Sequence, residues 1–311
     1  MAETIAPRTS VVIPTYNRAG IVGRAIQSVL AQSFHDWELV VVDDGSVDDT
    51  ESVVASFEDA RIQFIRHARN RGQSAARNIG IARARGDWVS FLDSDDEWDP
   101  DKLSWEAERI RLMADSVGLL YCGKRIREEK GRLLRVRMPT REGQVYQSLL
   151  AWDFIGSCSR VTVRREALVR TGGFDENLGN AEDWDLWLRI AKHYEVAAMR
   201  RCLLTRYFGS QQVTGSVRSI CAGKERFLEK HGAEMPAKVR AKHLAALATM
   251  LMNYDTAKAR AMAHETLQLD WRQPRLFAAI LCSILGPSLY RFLFSAATRR
   301  FHSLYIGHAK I

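Results

Sequence analysis

Three carboxylates crowd the stretch "WVSFLDSDDEWDP", Trp88 to Pro100: Asp93, Asp95 and Asp96. They follow Val89, Phe91 and Leu92, an apolar run that reads as a buried strand. Carboxylates held close together repel one another unless a cation sits between them. Hard divalent ions such as Mg²⁺ and Mn²⁺ prefer oxygen ligands, and magnesium typically combines one or two carboxylates with substrate phosphates. A divalent-cation site is therefore the expected chemistry. If the strand stays extended, Asp93 and Asp95 point the same way and Asp96 points elsewhere or turns into the following loop. Asp99 and Asp101 flank Pro100 and read instead as the start of a helix.

Positioning these carboxylates requires a scaffold, and the first hundred residues spell one out. Short β-branched and aromatic runs occur at Ser10–Pro14, Trp37–Asp44, Arg61–His67 and Asp87–Ser94. Between them, Ile21, Val22, Ala25, Ile26, Val29 and Leu30 form one helical face, and Ala75, Ala76, Ile79, Ile81 and Ala82 suggest another. Alternating strands and helices predict an α/β fold with a mostly parallel sheet and helices on both faces. Ligands of such sheets bind at the carboxyl ends of the strands. There the chain places "TYNR", "DDGS" and "DSDD", three polar clusters that should meet at one sheet edge. Further on come a charged helix near Asp101–Ala114, a hairpin turning near Lys130-Gly131, a short strand in "CSRVTVRR" and a helix from Glu182.

Several chemistries are disfavoured. No G-x-G-x-x-G follows a strand, which argues against a dinucleotide oxidoreductase. "GLLYCGKR" approaches a phosphate loop but carries Arg125 where Ser or Thr should meet magnesium. Five cysteines without a C-x-x-C pair suggest free thiols in a reducing compartment, and the N-terminus shows no secretory pattern. A cytoplasmic location is expected.

Net charge is +8, and its distribution is informative. From Pro236 onward Lys and Arg number 11 against 3 Asp and Glu, while the preceding chain balances 34 against 34. A neutral body with a basic, Leu/Phe-rich tail points to an anionic membrane surface rather than to nucleic acid. Two regions are expected: residues 1–235 as the α/β body and 236–311 as a basic, apolar, all-helical extension. The most apolar segment, Arg272–Phe301, is interrupted by Gly286-Pro287 and is too short in its uncharged part to span a bilayer. It reads either as a pair of helices packed on the body or as an interfacial hairpin with arginines at lipid headgroups, and the second is the expectation.

The blocks "SVVIPTYNRAG", "VVVDDGSVDDT", "NRGQSAARNIGIARARGDWVSFLDSDD" and "AEDWDLWLRI" together resemble the family-2 nucleotide-sugar glycosyltransferases of GT-A fold, over about Thr9 to Phe208. That resemblance implies an inverting transfer of one sugar from a nucleotide-diphosphate sugar, UDP by default, with Mn²⁺ or Mg²⁺ as cofactor. It implies that Pro14, Tyr16 and Asp44 hold the nucleobase, with Asp43 shaping the turn. Gln73 and Arg77 would serve the nucleotide and its phosphates, Arg77 equally suiting an ion pair with the carboxylate cluster. Asp93 would lie near the ribose, Asp95 and Asp96 would hold the metal, Glu182 would line the donor site, and Asp183 would be the general base. Trp184, Leu186, Trp187 and Ile190 read as packing, and Asp185 as a first-turn carboxylate. The stretch "TRYFGSQQVTGSVR" has no His where many relatives hold diphosphate or metal, which leaves Arg206 or Arg218 as substitutes. The implied acceptor is a glycan or polyprenyl-linked glycan of envelope polysaccharide synthesis, met at the inner face of the membrane. A nucleotidyltransferase or a non-catalytic sugar-nucleotide binder would use the same Asp cluster, but the first lacks its Gly-rich loop here and the second has no use for Asp183.

Overall fold

A computed structural model describes residues 8–208, 216–252 and 254–272. The chain forms two compact units. The first takes in the chain up to Leu149, Asp153–Asn177 and Glu182–Ser210, and the second comprises Leu150–Trp152, Leu178–Ala181 and the chain after residue 210.

The first unit opens with β1 (Thr9–Thr15), α1 (Val22–Leu30), β2 (Trp37–Asp43), α2 (Thr50–Ala55), β3 (Ile62–Arg66), α3 (Gln73–Arg83) and β4 (Trp88–Phe91). These four strands pair in parallel in the order β3-β2-β1-β4. Every residue of β1 and β2 is buried, as strands covered on both faces must be. Helix α1 covers one face with Val22, Ala25, Ile26 and Val29, which join Val11, Ile13, Leu39 and Val41 in the main core. On the other face α3 comes so close that a Cβ on Gly80 would collide with the Val12 side chain, so glycine is required at that crossing.

Beyond β4 the pairing changes. The short β5 (Asp96–Trp98) leads into α4 (Lys102–Arg111), then β6 (Val117–Glu128), β7 (Leu133–Arg137), α5 (Tyr146–Ala151), β8 (Val161–Arg164), α6 (Arg165–Thr171), α7 (Glu182–Ala191) and β9 (Glu195–Phe208). The sheet continues β4-β8-β6-β9-β5, with β7 also on β6. Only β6 and β9 are parallel here; β4 with β8, β8 with β6, β7 with β6 and β5 with β9 run antiparallel. The sheet is thus mixed, and its parallel half is the one that carries the three polar clusters.

Two local expectations change. The strand expected over Asp87–Ser94 stops at Phe91, and the chain turns before β5, so the alternation argument for Asp93, Asp95 and Asp96 does not apply. Asp99 and Asp101 do not cap α4 with their side chains: Asp99 pairs with Arg125 at 2.6 Å, and Asp101 accepts from Ser33 Oγ at 2.8 Å.

In the second unit, α8 (Val217–His231), α9 (Ala237–Leu251) and α10 (Thr256–Leu269) pack around Cys221, Leu247, Leu251, Met252 and Ala259. Ser216 caps α8 by accepting from Ser219 N–H at 3.2 Å, and Asp255 caps α10 by accepting from Lys258 N–H at 3.0 Å. Among the described residues no helix is long and apolar enough to cross a membrane. The interfacial hairpin expected within Arg272–Phe301 lies, apart from Arg272, outside the described residues.

Candidate active site

The loops after β1, β2 and β4 open at the same sheet edge. The first two are stitched together. Asn17 donates its N–H to Ser46 Oγ at 2.8 Å, and its side-chain oxygen accepts from Val47 N–H at 2.9 Å. Asp43 turns inward and accepts from Ser46 N–H at 3.1 Å and from the Ser46 hydroxyl, which fixes the turn. Gly45 sits at φ 81°, and a Cβ there would lie 2.8 Å from the Arg69 backbone, so glycine is required.

Asp44 points the other way and is the most heavily coordinated carboxylate of this edge. It accepts from His67 Nδ1 at 2.7 Å, Arg71 N–H at 2.9 Å and Gly72 N–H at 2.7 Å. A carboxylate offers about four acceptor positions, so one remains for a ligand. Beside it, Pro14 is buried in β1, whereas Tyr16 is 42% exposed and open to solvent.

The start of α3 carries the next contributors. Gln73 Nε2 reaches Asp93 Oδ1 at 3.3 Å. Arg77, 2% exposed, donates to Asp93 Oδ1 at 2.7 Å and to Glu182 Oε1 at 3.2 Å, so one guanidinium ties the β4 loop to the first turn of α7. Of the two arginine readings from the sequence, the ion pair with the carboxylate cluster is the one seen here.

Ligand atoms of Asp93, Asp95 and Asp96 all lie within 4.8 Å of one another, so the turn after β4 brings Asp96 into the cluster instead of away from it. Asp96 is buried, and its Oδ1 has no protein donor. Burial and the neighbouring Asp95 push the Asp96 carboxyl up to about 7; burial and Asp93 raise Asp95 as well, with Arg206 and Arg18 opposing. An oxygen-only donor set, an orphaned buried oxygen and mutual repulsion fit a divalent cation. Ser159 steadies the group: its hydroxyl accepts from Asp93 N–H at 3.0 Å and favours the charged form of Asp96.

Asp183 follows Glu182 at the start of α7 and is partly buried. Burial lifts its carboxyl well above the usual range, with Glu182 and Asp153 adding to the rise and Trp184 N–H, at 2.7 Å, working against it. Such a carboxylate is a stronger base than a solvated one. Trp187 packs against Phe91 and Phe174, as its reading as core requires. Asp185 is more than a first-turn charge. It is fully buried and bonded to Arg189 at 2.8 Å, and Arg189 in turn donates to the carbonyls of Thr171 and Gly173.

Side chains outside the sequence motifs complete the site. Arg206, on β9, pairs in register with Asp96 on β5, whereas Arg218 lies in the second unit over the ring of Tyr254. Lys124 on β6 is only 7% exposed, donates to Ser157 Oγ at 3.3 Å, and is pushed down to about 7 by burial and by Arg206 and Arg160. His67, Ser159 and Asp153 belong to no motif, and Lys124 comes from the phosphate-loop look-alike "GLLYCGKR".

Residues 10–169 match the family described as Glycosyl transferase family 2, about half of the chain. The chain belongs to glycosyl transferase family 2. It is similar, at 33% identity over 201 residues (63% of this chain, 77% of the relative), to TuaG of Bacillus subtilis (strain 168), whose name places it in teichuronic acid biosynthesis. At 32% identity over 190 residues (61% of this chain, 72% of the relative) it is similar to WfgD of Escherichia coli, named a UDP-Glc:α-D-GlcNAc-diphosphoundecaprenol β-1,3-glucosyltransferase. Among solved structures it resembles the mannosyltransferase PcManGT of Pyrobaculum calidifontis in complex with GDP-Man and Mn²⁺, with a TM-score of 0.54 and 22% identity, covering 97% of this chain and 82% of that one. The fold is GT-A-like, and the chain is a family-2 glycosyltransferase.

Proposed function

We propose that this glycosyltransferase moves a single sugar, with inversion, from a nucleotide-diphosphate sugar to a hydroxyl of a glycan carried on a lipid. The observation that carries the reading is the double grip of Arg77 on Asp93 and Glu182, which gathers the carboxylate cluster, the donor edge and the Asp183 turn around one guanidinium. UDP is the first nucleotide to test. Asp44 keeps an acceptor position for a base N–H, and the name of WfgD includes UDP-Glc; the GDP-Man complex of PcManGT makes GDP the second.

In this reading Pro14 and Tyr16 flank the base, Asp44 reads its edge, and Gln73 and Arg77 orient the nucleotide against Asp93. Asp95 and Asp96, with Asp93 beside them, would hold a divalent cation, which when bound would supply positive charge for a departing diphosphate. Asp183 takes the proton from the acceptor hydroxyl as that oxygen attacks the anomeric carbon from the face opposite the leaving group. No covalent sugar intermediate is needed. Polysaccharide synthesis is the setting that the names of TuaG and WfgD suggest. The basic region after Pro236 supports work at the inner face of a membrane.

The test is a transfer assay with UDP-Glc, UDP-GlcNAc, UDP-Gal and GDP-Man, each with Mn²⁺ or Mg²⁺, on a synthetic GlcNAc-diphospholipid acceptor. A product of inverted anomeric configuration supports the reading. Retained configuration overturns the single displacement, and release of nucleoside monophosphate with a sugar phosphate would mean diphosphate cleavage instead of glycosyl transfer.

A further inference from the structure

The cations of the site extend beyond the carboxylate cluster in an ordered way. Strands β5, β9, β6 and β7 lie side by side, and one register line runs Asp96, Arg206, Ile126, Arg135. The next line on the same face runs Trp98, Leu204, Lys124, Arg137, because alternate residues of a strand share a face. Starting from Asp96, this sheet face therefore presents Arg206, then Lys124, then Arg135 and Arg137. At a strand spacing of about 4.8 Å, the β7 arginines stand about 14 Å from the carboxylate cluster.

Edge strands commonly carry charge to discourage aggregation, which would explain Arg135 and Arg137 by themselves. It does not explain Lys124, which is buried with Arg206, Arg160 and Arg137 all pressing on it against the opposing charges of Asp96 and Asp153. Like charges gathered behind an edge indicate a bound anion, by the same logic that assigns a cation to the three carboxylates. The hairpin also departs from an ordinary solvated edge in its apolar content. Leu133, 51% exposed, shares the face of Arg135 and Arg137, while Leu134 and Val136 are exposed on the other face of β7. From Lys124 to Met138 there are seven basic residues and two acidic ones. A ligand both anionic and apolar matches this surface.

We infer that Lys124, Arg135 and Arg137 form a second anion subsite, separate from the donor's diphosphate, that holds the phosphate groups of a lipid-linked acceptor while Leu133, on the same face of β7, meets its hydrocarbon chain. The inference rests on the acceptor class proposed above and adds the residues that select it. The separation from the carboxylate cluster leaves room for the transferred sugar and the acceptor sugar between the two phosphate sites.

Binding measurements on the full-length chain test it, with farnesyl diphosphate as the acceptor-like probe and UDP with Mn²⁺ as the donor-like one. Farnesyl diphosphate is titrated in the presence of chelator, since side chains and not a metal hold it. It is expected to bind wild type and Asp95→Ala alike, and at least tenfold more weakly to the double variant Arg135→Gln/Arg137→Gln. UDP with Mn²⁺ is expected to show the reverse, lost in Asp95→Ala and changed less than twofold in the double variant. Arg135→Lys/Arg137→Lys, which keeps the charges, should restore most of the farnesyl diphosphate affinity, and an unchanged melting temperature shows that the exposed substitutions leave the fold intact. Equal binding by the Gln double variant, no binding to wild type, or equal affinity for farnesol overturns the inference. So does a double variant that loses UDP as strongly as farnesyl diphosphate, which would assign the row to the donor. If wild type fails to bind any nucleotide with metal, the donor reading falls, while the chelator titration still decides the acceptor subsite.

Discussion

The Arg77 guanidinium lies 2.7 Å from Asp93 Oδ1, with both side chains largely withdrawn from solvent. Its other terminal nitrogen reaches Glu182. Helix α3 therefore fixes the carboxylate loop and the α7 turn by a single residue. Removing one member of a buried charge network leaves the others uncompensated, which typically destabilises by about 3–5 kcal/mol. Arg77→Met is expected to lose that order of stability in denaturant melts. Arg77→Lys keeps the charge but not the two-armed reach, and is expected to retain more stability while still weakening nucleotide binding.

Asp183→Asn separates chemistry from binding. Turnover should fall by about 10²–10⁴-fold, the usual worth of a positioned base, with UDP affinity unchanged. Wild-type activity should rise with pH as the Asp183 carboxyl, raised by burial, Glu182 and Asp153, gives up its proton. The stability effect runs the opposite way. A carboxyl raised on folding favours the native state at low pH, and that contribution is lost as pH rises from the unfolded value through the folded one. Asn carries no such loss. The melting temperature of Asp183→Asn relative to wild type should therefore climb between acidic and mildly alkaline pH, and a flat difference would show that Asp183 is not held protonated by its surroundings.

His67 orients Asp44 through a 2.7 Å bond, while Arg71 and Gly72 supply only backbone donors. A hydrogen bond to a charged group contributes about 1.5–3 kcal/mol, so His67→Ala should weaken UDP binding by roughly tenfold or more without shifting its metal dependence. Calorimetric titration with UDP at fixed Mn²⁺ checks this, and unaltered affinity would remove His67 from the nucleotide site.

Much of the first hundred residues was legible because two periodicities alternate there: β1, β2 and β3 begin and end within a residue or two of the apolar runs that announced them. The carboxylate cluster was legible as a group but not in its geometry, since the turn after Phe91 brings Asp96 beside Asp93 and Asp95. Strand β9 escaped notice because "MRRC" interrupts its alternation, and the pairing with β6 shifts register at that point. Ser159 carries no local signal, and Lys124 stood out only within a phosphate-loop look-alike. Each is placed by pairing with strands far away in the chain, a relationship that no window of sequence contains.

In the proposed mechanism Asp93, Asp95 and Asp96 form a cation site that receives a nucleotide diphosphate. Its most direct measurement is isothermal titration of UDP and GDP into wild type and Asp95→Ala, with Mn²⁺ or with chelator. One nucleotide is expected to bind wild type in a manner that requires metal and disappears in Asp95→Ala. Binding of equal strength with chelator present, or retained by Asp95→Ala, would contradict it and would make the carboxylate cluster a structural feature of the β4 turn.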